Sequence, residues 1–183
     1  MQKPAQIAFT LRPLASTDAA RIAEQIGDWE VARWLSRVPH PYMIADGAEF
    51  IAAKLTPPPA PERTKAIAID GQLAGIIGID RMPQGYNIGY WLGRQYWGNR
   101  IMTRVAALLT REFFAMSSET HLMSGYFSGN EPSWAIQQRL GFAFVEDGLL
   151  FNRAHGKRLP HVLTRLTRAR YESRTHIDAY YAG

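Results

Sequence analysis

YNIGYWLGRQYWGNRIMTRVAALLTREFF, residues 86–114, holds a strand, a short aromatic turn and a long helix in one run. Residues 87–92 are rich in β-branched and aromatic side chains, which suit a pleated, half-buried surface. From Ile101 the period changes, and Ile101, Val105, Leu108, Leu109 and Phe113 recur at helical spacing. Between the two lies Gln95-Tyr-Trp-Gly98-Asn-Arg100. The first amides of a helix lack internal partners and the dipole is positive there, so an anion such as a phosphate can be held. Gly98 has no Cβ and lets backbone approach such a ligand closely.

Upstream, residues 7–13 (IAFTLRP) alternate as a first strand closed by Pro13. Ser16, Thr17 and Asp18 are N-cap candidates for a helix reaching Gln25, and a short helical piece covers 28–35. Residues 37–42 (RVPHPY) form a proline-punctuated loop. Asp46 and Glu49 have capping-box spacing and open a helix carrying Phe50, Ile51 and Leu55. Residues 57–61 (PPPAP) make an exposed connection, too short for a domain boundary. Strands at 65–70 and 73–80 follow, with Asp70-Gly71 as the hairpin signal, and residues 81–85 turn into the strand quoted above.

Downstream, residues 121–127 read as a strand, and Asn130 starts a helix that ends at Leu140 with Gly141 as its C-cap. Residues 142–146 and 159–167 close the pattern around a loop at 154–157. Strands separated by helices, together with hairpins, imply an α/β fold: one mixed sheet with helices on its faces, in a single domain. Its core spans about 6–170, with a C-terminal tail at 171–183.

Two motifs carry a family resemblance. Ile88-Gly89-Tyr90-Trp91-Leu92 followed by Gln95-x-x-Gly98 resembles the phosphate-binding turn of the GNAT (Gcn5-related) N-acetyltransferases, more narrowly the branch of the Rim-type ribosomal-protein N-terminal acetyltransferases. Asn130-x-x-Ser133, ending in Leu140-Gly141-Phe142, resembles the segment that follows the fifth strand in that branch. Together they cover most of residues 86–142. The chain departs from the pattern at Arg100, where a second glycine or alanine is usual, at Met102 in place of a small residue, and at Gln137, where many members carry a tyrosine acid.

The resemblance implies a sheet splayed between its fourth and fifth strands and a donor substrate, acetyl-CoA, whose acetyl group passes to a primary amine of a protein N-terminus or small molecule. It assigns cofactor contacts to Tyr90, Trp91 and Leu92 along the strand. Gln95, Gly98, Asn99, Arg100, Ile101, Met102 and Thr103 lie in the turn, and Asn130 and Ser133 beside the pantetheine arm. Relatives often form homodimers. The alternative is a non-catalytic module of the same fold that binds CoA, suggested by Arg100, Gln137 and the lack of a carboxylate on residues 87–92.

Direct transfer needs orientation of the two reactants, a base for the amine and an acid for the departing thiolate. Ser133 is the candidate beside the thiol, while Asp80 and His40 are candidate bases, with His161 as a further histidine. Trp34, Arg37 and Tyr42 are the expected acceptor-side residues. No zinc-ligand spacing, phosphate loop of the Gly-x4-Gly-Lys type or Gly-x-Ser-x-Gly elbow is present, so no metal is expected.

The bulk properties agree. At 46% hydrophobic and 20% charged residues the chain can bury an ordinary core. No apolar run approaches the roughly 20 residues of a membrane span, and the N-terminus lacks a signal peptide's apolar centre. The absence of cysteine excludes a disulfide framework and a thiolate nucleophile, and a cytoplasmic location is expected. A net charge of +5 attracts polyanions, among them CoA. The basic residues of 153–174 read first as a solvated face rather than a nucleic-acid surface.

Overall fold

The computed structural model describes residues 6–56 and 58–174. Its sheet has seven strands: β1 (Thr10–Arg12), β2 (Arg63–Ile69), β3 (Gln72–Met82), β4 (Gly85–Leu92), β5 (His121–Phe127), β6 (Ala143–Asn152) and β7 (Lys157–Thr167). They lie in the order β1-β2-β3-β4-β5-β7-β6, and only the β4–β5 pair is parallel. The helices are α1 (Ala19–Ile26), α2 (Trp29–Ala32), α3 (Ile44–Leu55), α4 (Ile101–Met116), α5 (Glu131–Leu140) and α6 (Arg168–Glu172).

Alternation along the strands divides the core in two. Ile67, Ile77, Ile79, Ile88 and Leu122 meet Ile101, Val105, Leu109 and Phe113 of α4 on one face. Ala66, Leu73 and Ile76 meet Ile22 and Ile26 of α1 and Ile51 of α3 on the other. The chain change at 70–71 is the expected hairpin turn: Asp70 and Gly71 both have positive φ, 49° and 78°. The strand at 121–127 coincides with β5, and the Asn130-to-Gly141 helix with α5, closed by Gly141 at φ 97°.

Several boundaries move for identifiable reasons. Ser16–Asp18 is a tight 3-10 turn and α1 begins at Ala19. Asp18 caps no amide of α1, because its carboxylate takes Arg12 in two bonds of 2.7 Å and the Ala15 N–H at 2.9 Å. Helix α3 starts at Ile44, so Asp46 does not precede it as an N-cap. Asp46 sits in the first turn and accepts the Met43 N–H at 2.7 Å. Residues 81–85 are mostly strand, with the turn confined to Pro83 and Gln84. The closing hairpin is longer than its apolar pattern, since β6 is an edge strand with Phe144, Leu149 and Phe151 exposed. In the 57–61 connection, Pro61 is buried.

Candidate active site

The one parallel pair in the sheet opens into a gap. β4 and β5 register only at Asn87 and Met123, whereas β3 and β4 register along their length. The Gly93 N–H donates to Ala74 O at 2.8 Å, which fixes the alternation in β4: Gly89 and Trp91 address β3, while Ile88, Tyr90 and Leu92 turn their backbone groups to β5. Orphaned backbone groups are costly, and side chains take three of the carbonyls at this opening. Ser124 Oγ donates to Ile88 O (3.1 Å), Gln137 Nε2 to Gly125 O (3.1 Å) and Trp97 Nε1 to Leu92 O (2.7 Å). The N–H groups of Tyr90 and Leu92 and the carbonyl of Tyr90 are left facing the gap, a lining suited to the carbonyls and N–H groups of an extended amide-containing arm.

Beyond Leu92 the chain makes a short turn at Arg94–Tyr96 and reaches α4 through Gly98 (φ 78°) and Arg100 (φ 56°, ψ 13°). The first bond into α4 runs from Arg104 N–H to Arg100 O, so the amides of Ile101, Met102 and Thr103 point outward without helical partners. Their side chains are buried in the core, which leaves backbone alone for a ligand. Met102 is thus accommodated inside and does not crowd the turn. Asn99 spends its amide on Tyr96 O (3.2 Å) and Trp97 O (3.0 Å), bracing the loop. Gln95 meets the buried Gln25, whose amide in its satisfied orientation donates to Gln95 Oε1 at 3.0 Å. Gly98 has open space where a Cβ would stand. Arg100 is exposed and occupies the left-handed region that costs a side-chain-bearing residue about 1–2 kcal/mol.

A polar chain lies beside the gap. Asn130 Oδ1 accepts the Ser133 N–H at 3.3 Å, starting α5 and setting Ser133 on its first turn. Ser133 Oγ lies 3.3 Å from the Tyr90 hydroxyl and accepts from Gln137 Nε2 at 3.2 Å. The other end of that amide, Oε1, accepts from Thr164 Oγ1 at 2.6 Å, which locks its orientation. Gln137 is 1% exposed, with both of its amide ends satisfied. Since Gln137 donates to Ser133, the Ser133 proton is directed at Tyr90 or into the gap. Burial pushes the Tyr90 phenol above its ordinary value, and its bonds to Ser133 and Gln137 offset this only in part. Tyr90 therefore stays protonated at neutral pH.

On the opposite face of the sheet, Asp80 is held by Lys54 Nζ (2.7 Å) and Arg37 (3.2 Å). Burial works to raise its pKa, but the hydrogen bonds and charges of Lys54 and Arg37 outweigh it and leave Asp80 below the ordinary value of 3.8. An ionised carboxylate with two cations is a poor proton acceptor, so Asp80 serves as an anchor for the Arg37 loop and α3. The sign of the linkage follows. Stability from Asp80, and from Asp18, which is likewise lowered, is fully present above pH 3.8 and is lost as pH falls through the depressed folded values. Thermal unfolding recorded from pH 5 downward should show a steep loss of Tm near the bottom of that range, and Asp80→Asn should flatten it.

The remaining expected residues fall around this face. His40 is exposed, and its ring meets Trp29 edge-on at 5.1 Å, while His155 meets Trp29 at 4.8 Å. Arg37 is bound to Asp80. Tyr42 packs against the second core cluster, as does the Trp91 side chain, so Trp91 offers no ring to the gap. Trp34 lies beneath Arg33 and reaches to 3.5 Å from where a Cβ on Gly129 would stand. Asn152 and Arg153 tie the β6–β7 hairpin to Arg33 O and Ser36 O. Ser124, Trp97, Gln137 and Thr164 carry the opening and its polar chain, and sequence gives no signal for them as a set, since each is an ordinary strand, loop or helix residue locally. Among the described residues no cluster suited to a metal ion occurs.

A family model described as the acetyltransferase (GNAT) domain matches residues 8–143. The chain is 28% identical over 157 residues to the Bacillus subtilis (strain 168) protein named "Putative ribosomal N-acetyltransferase YdaF", covering 80% of this chain and 86% of that one. Among solved structures it is similar to Mycobacterium smegmatis RimJ in complex with CoA-disulfide, at 20% identity and a TM-score of 0.75 over 95% of this chain and 89% of that one. It is also similar to the microcin C7 self-immunity acetyltransferase MccE in complex with acetyl-CoA and AMP, at 19% identity and a TM-score of 0.71 over 90% of this chain and 97% of that one. These structures share its fold. With a splayed β4–β5 pair, an open helix start beside it and a family match over most of its length, the chain belongs to the GNAT acetyltransferase family.

Proposed function

We propose that the protein binds acetyl-CoA across the β4–β5 gap and transfers the acetyl group directly to the primary amine of a protein N-terminus or small molecule. The observation that carries this reading is the opening beyond the single β4–β5 register pair, where the backbone groups of Tyr90 and the Leu92 N–H face the gap, continuous with the free amides of Ile101, Met102 and Thr103. The pyrophosphate would take those amides and the close backbone approach at Gly98, and the pantetheine amides the N–H groups of Tyr90 and Leu92. When bound, acetyl-CoA supplies the activated acetyl group. The chain's own residues orient it, polarise its carbonyl through the β4 amides, and present the Ser133 hydroxyl, steadied by Gln137 and Tyr90, as proton donor on the α5 side. The absence of cysteine supports direct transfer over a thiol-linked acyl-enzyme.

A ribosomal-type N-terminal acceptor is supported by the named relative. The exposed edge strand β6, with Phe144, Leu149 and Phe151 open, supports a homodimer. Among the described residues no helix is long and apolar enough to cross a membrane. Thiol release from acetyl-CoA, followed across short peptides of varied N-terminal residue and a set of small amines, tests the reading alongside calorimetric CoA binding. Release with one acceptor class supports it. Tight binding with no release across the whole set favours a non-catalytic CoA-binding module, and no binding removes the reading.

Arg100 separates charge from backbone in this scheme. Arg100 is exposed at the N-cap of α4, where its guanidinium would contact a phosphate of the donor. Arg100→Gly should raise Tm, because it relieves about 1 kcal/mol of left-handed strain, while weakening CoA binding several-fold. Calorimetry showing unchanged or tighter binding would remove the contact.

A further inference from the structure

Gly125 stands two residues past the last β4–β5 pair, on the same face of the sheet as Gly89. Around Gly89 nothing lies within 4 Å of where a Cβ would be, so the floor of the cleft is open on the β4 side. On the β5 side that space is filled. A Cβ on Gly125 would overlap the His161 ring, whose Nε2 is 2.6 Å from the Cβ position. His161 comes from β7, opposite Phe127, and its ring meets Phe127 edge-on at 5.4 Å. It is half-buried and hydrogen-bonds to no described residue. Glycine at 125 thus admits an unpartnered imidazole to the acceptor side of the opening, across from the empty floor at Gly89.

We propose that His161 is the proton acceptor for the incoming amine. This rests on the transferase reading above. The unprotonated ring nitrogen takes one proton from the acceptor ammonium. The freed nitrogen lone pair forms the bond to the thioester carbonyl carbon, and the carbon–sulfur bond breaks with its electrons on sulfur. A second proton from the nitrogen reaches sulfur by way of Ser133, giving the amide and the CoA thiol. His161 then returns its proton to solvent, so that one proton is released per turnover.

The surroundings suit this role. On the same face, β5 presents Met123 and Phe127, β6 presents Gly148 and Glu146, and β7 presents Leu163 and Arg165. Across the gap the charges of Asp80, Lys54 and Arg37 are spent on one another. None of these groups shifts His161. Burial alone displaces it, to below the ordinary 6.5, so the ring is neutral at pH 7.

The test uses the intact protein with the peptide that gives the fastest thiol release. His161→Gln should lower kcat/KM by about 100-fold and abolish the acidic limb of its pH profile, while leaving CoA binding unchanged. Added imidazole should partly restore His161→Gly, which leaves a ring-sized hole. In the free protein, NMR titration of the histidine ring protons should place His161 below pH 6.5. Full activity of His161→Gln with an intact acidic limb, or a ring that titrates above 6.5, overturns the assignment even where thiol release stands. Binding of CoA with no release by the wild type for any peptide overturns the transferase reading, and the role of His161 with it.

Discussion

Gln137→Leu should lower the unfolding free energy by about 3 kcal/mol and reduce turnover by roughly tenfold or more. The side chain is buried, and three groups depend on it: the Gly125 carbonyl, Ser133 Oγ and Thr164 Oγ1. Leucine fills similar volume but offers no polar atom, so each group loses a partner at about 1–3 kcal/mol where it remains buried. For a domain of this size that is a fall in Tm of roughly 6–12 °C. Turnover suffers separately, because Ser133 loses the donor that directs its own proton. Thermal unfolding and thiol release on the same preparation check both. A variant as stable and as active as wild type would show that Gln137 neither props the β4–β5 opening nor orients Ser133.

This residue marks where sequence reading stops. The order of strands and helices was legible because period, caps and turn residues act locally. Asp70-Gly71 forces its hairpin, and Asn130 and Gly141 bound α5. The helix start at Ile101 was legible for the same reason, as the change of period is itself local. At Gln137 the sequence pattern shows only a missing tyrosine, whereas the fold uses the residue as a backbone cap on Gly125 twelve residues away. Its partners come from β5, β7 and the first turn of its own helix, and no spacing along the chain announces that meeting. Asp80 is another such case, since its pairing with Lys54 and Arg37 joins α3 and the loop at 37 to β3. His161 reaches Gly125 only because the β5–β7 register sets it opposite Phe127, two residues along the strand.

Gly98→Asp should weaken CoA binding by about 100-fold, while Gly98→Asn costs several-fold. Both side chains enter the left-handed region at φ 78° with similar strain, and Asn and Asp tolerate it better than most residues. Neither meets a protein atom, because the space around Gly98 is open. The difference between them is therefore charge. A carboxylate at the start of α4 opposes the phosphates that the free amides of residues 101–103 would receive. Calorimetry at low and high salt checks this, and the gap between the two variants should narrow as salt rises. Equal affinities for the Asp and Asn variants would place the phosphates elsewhere.

The most direct measurement of the binding site is amide hydrogen exchange by NMR with and without CoA. Exchange should slow at Tyr90 and Leu92 in the β4–β5 gap and at Ile101, Met102 and Thr103 at the start of α4, since these are the donors left without protein partners. Little change should occur at Gly89 and Trp91, which already address β3. Protection confined to other surfaces, with the amides of Tyr90 and Leu92 exchanging as before, would contradict the assignment of the gap as the acetyl-CoA site.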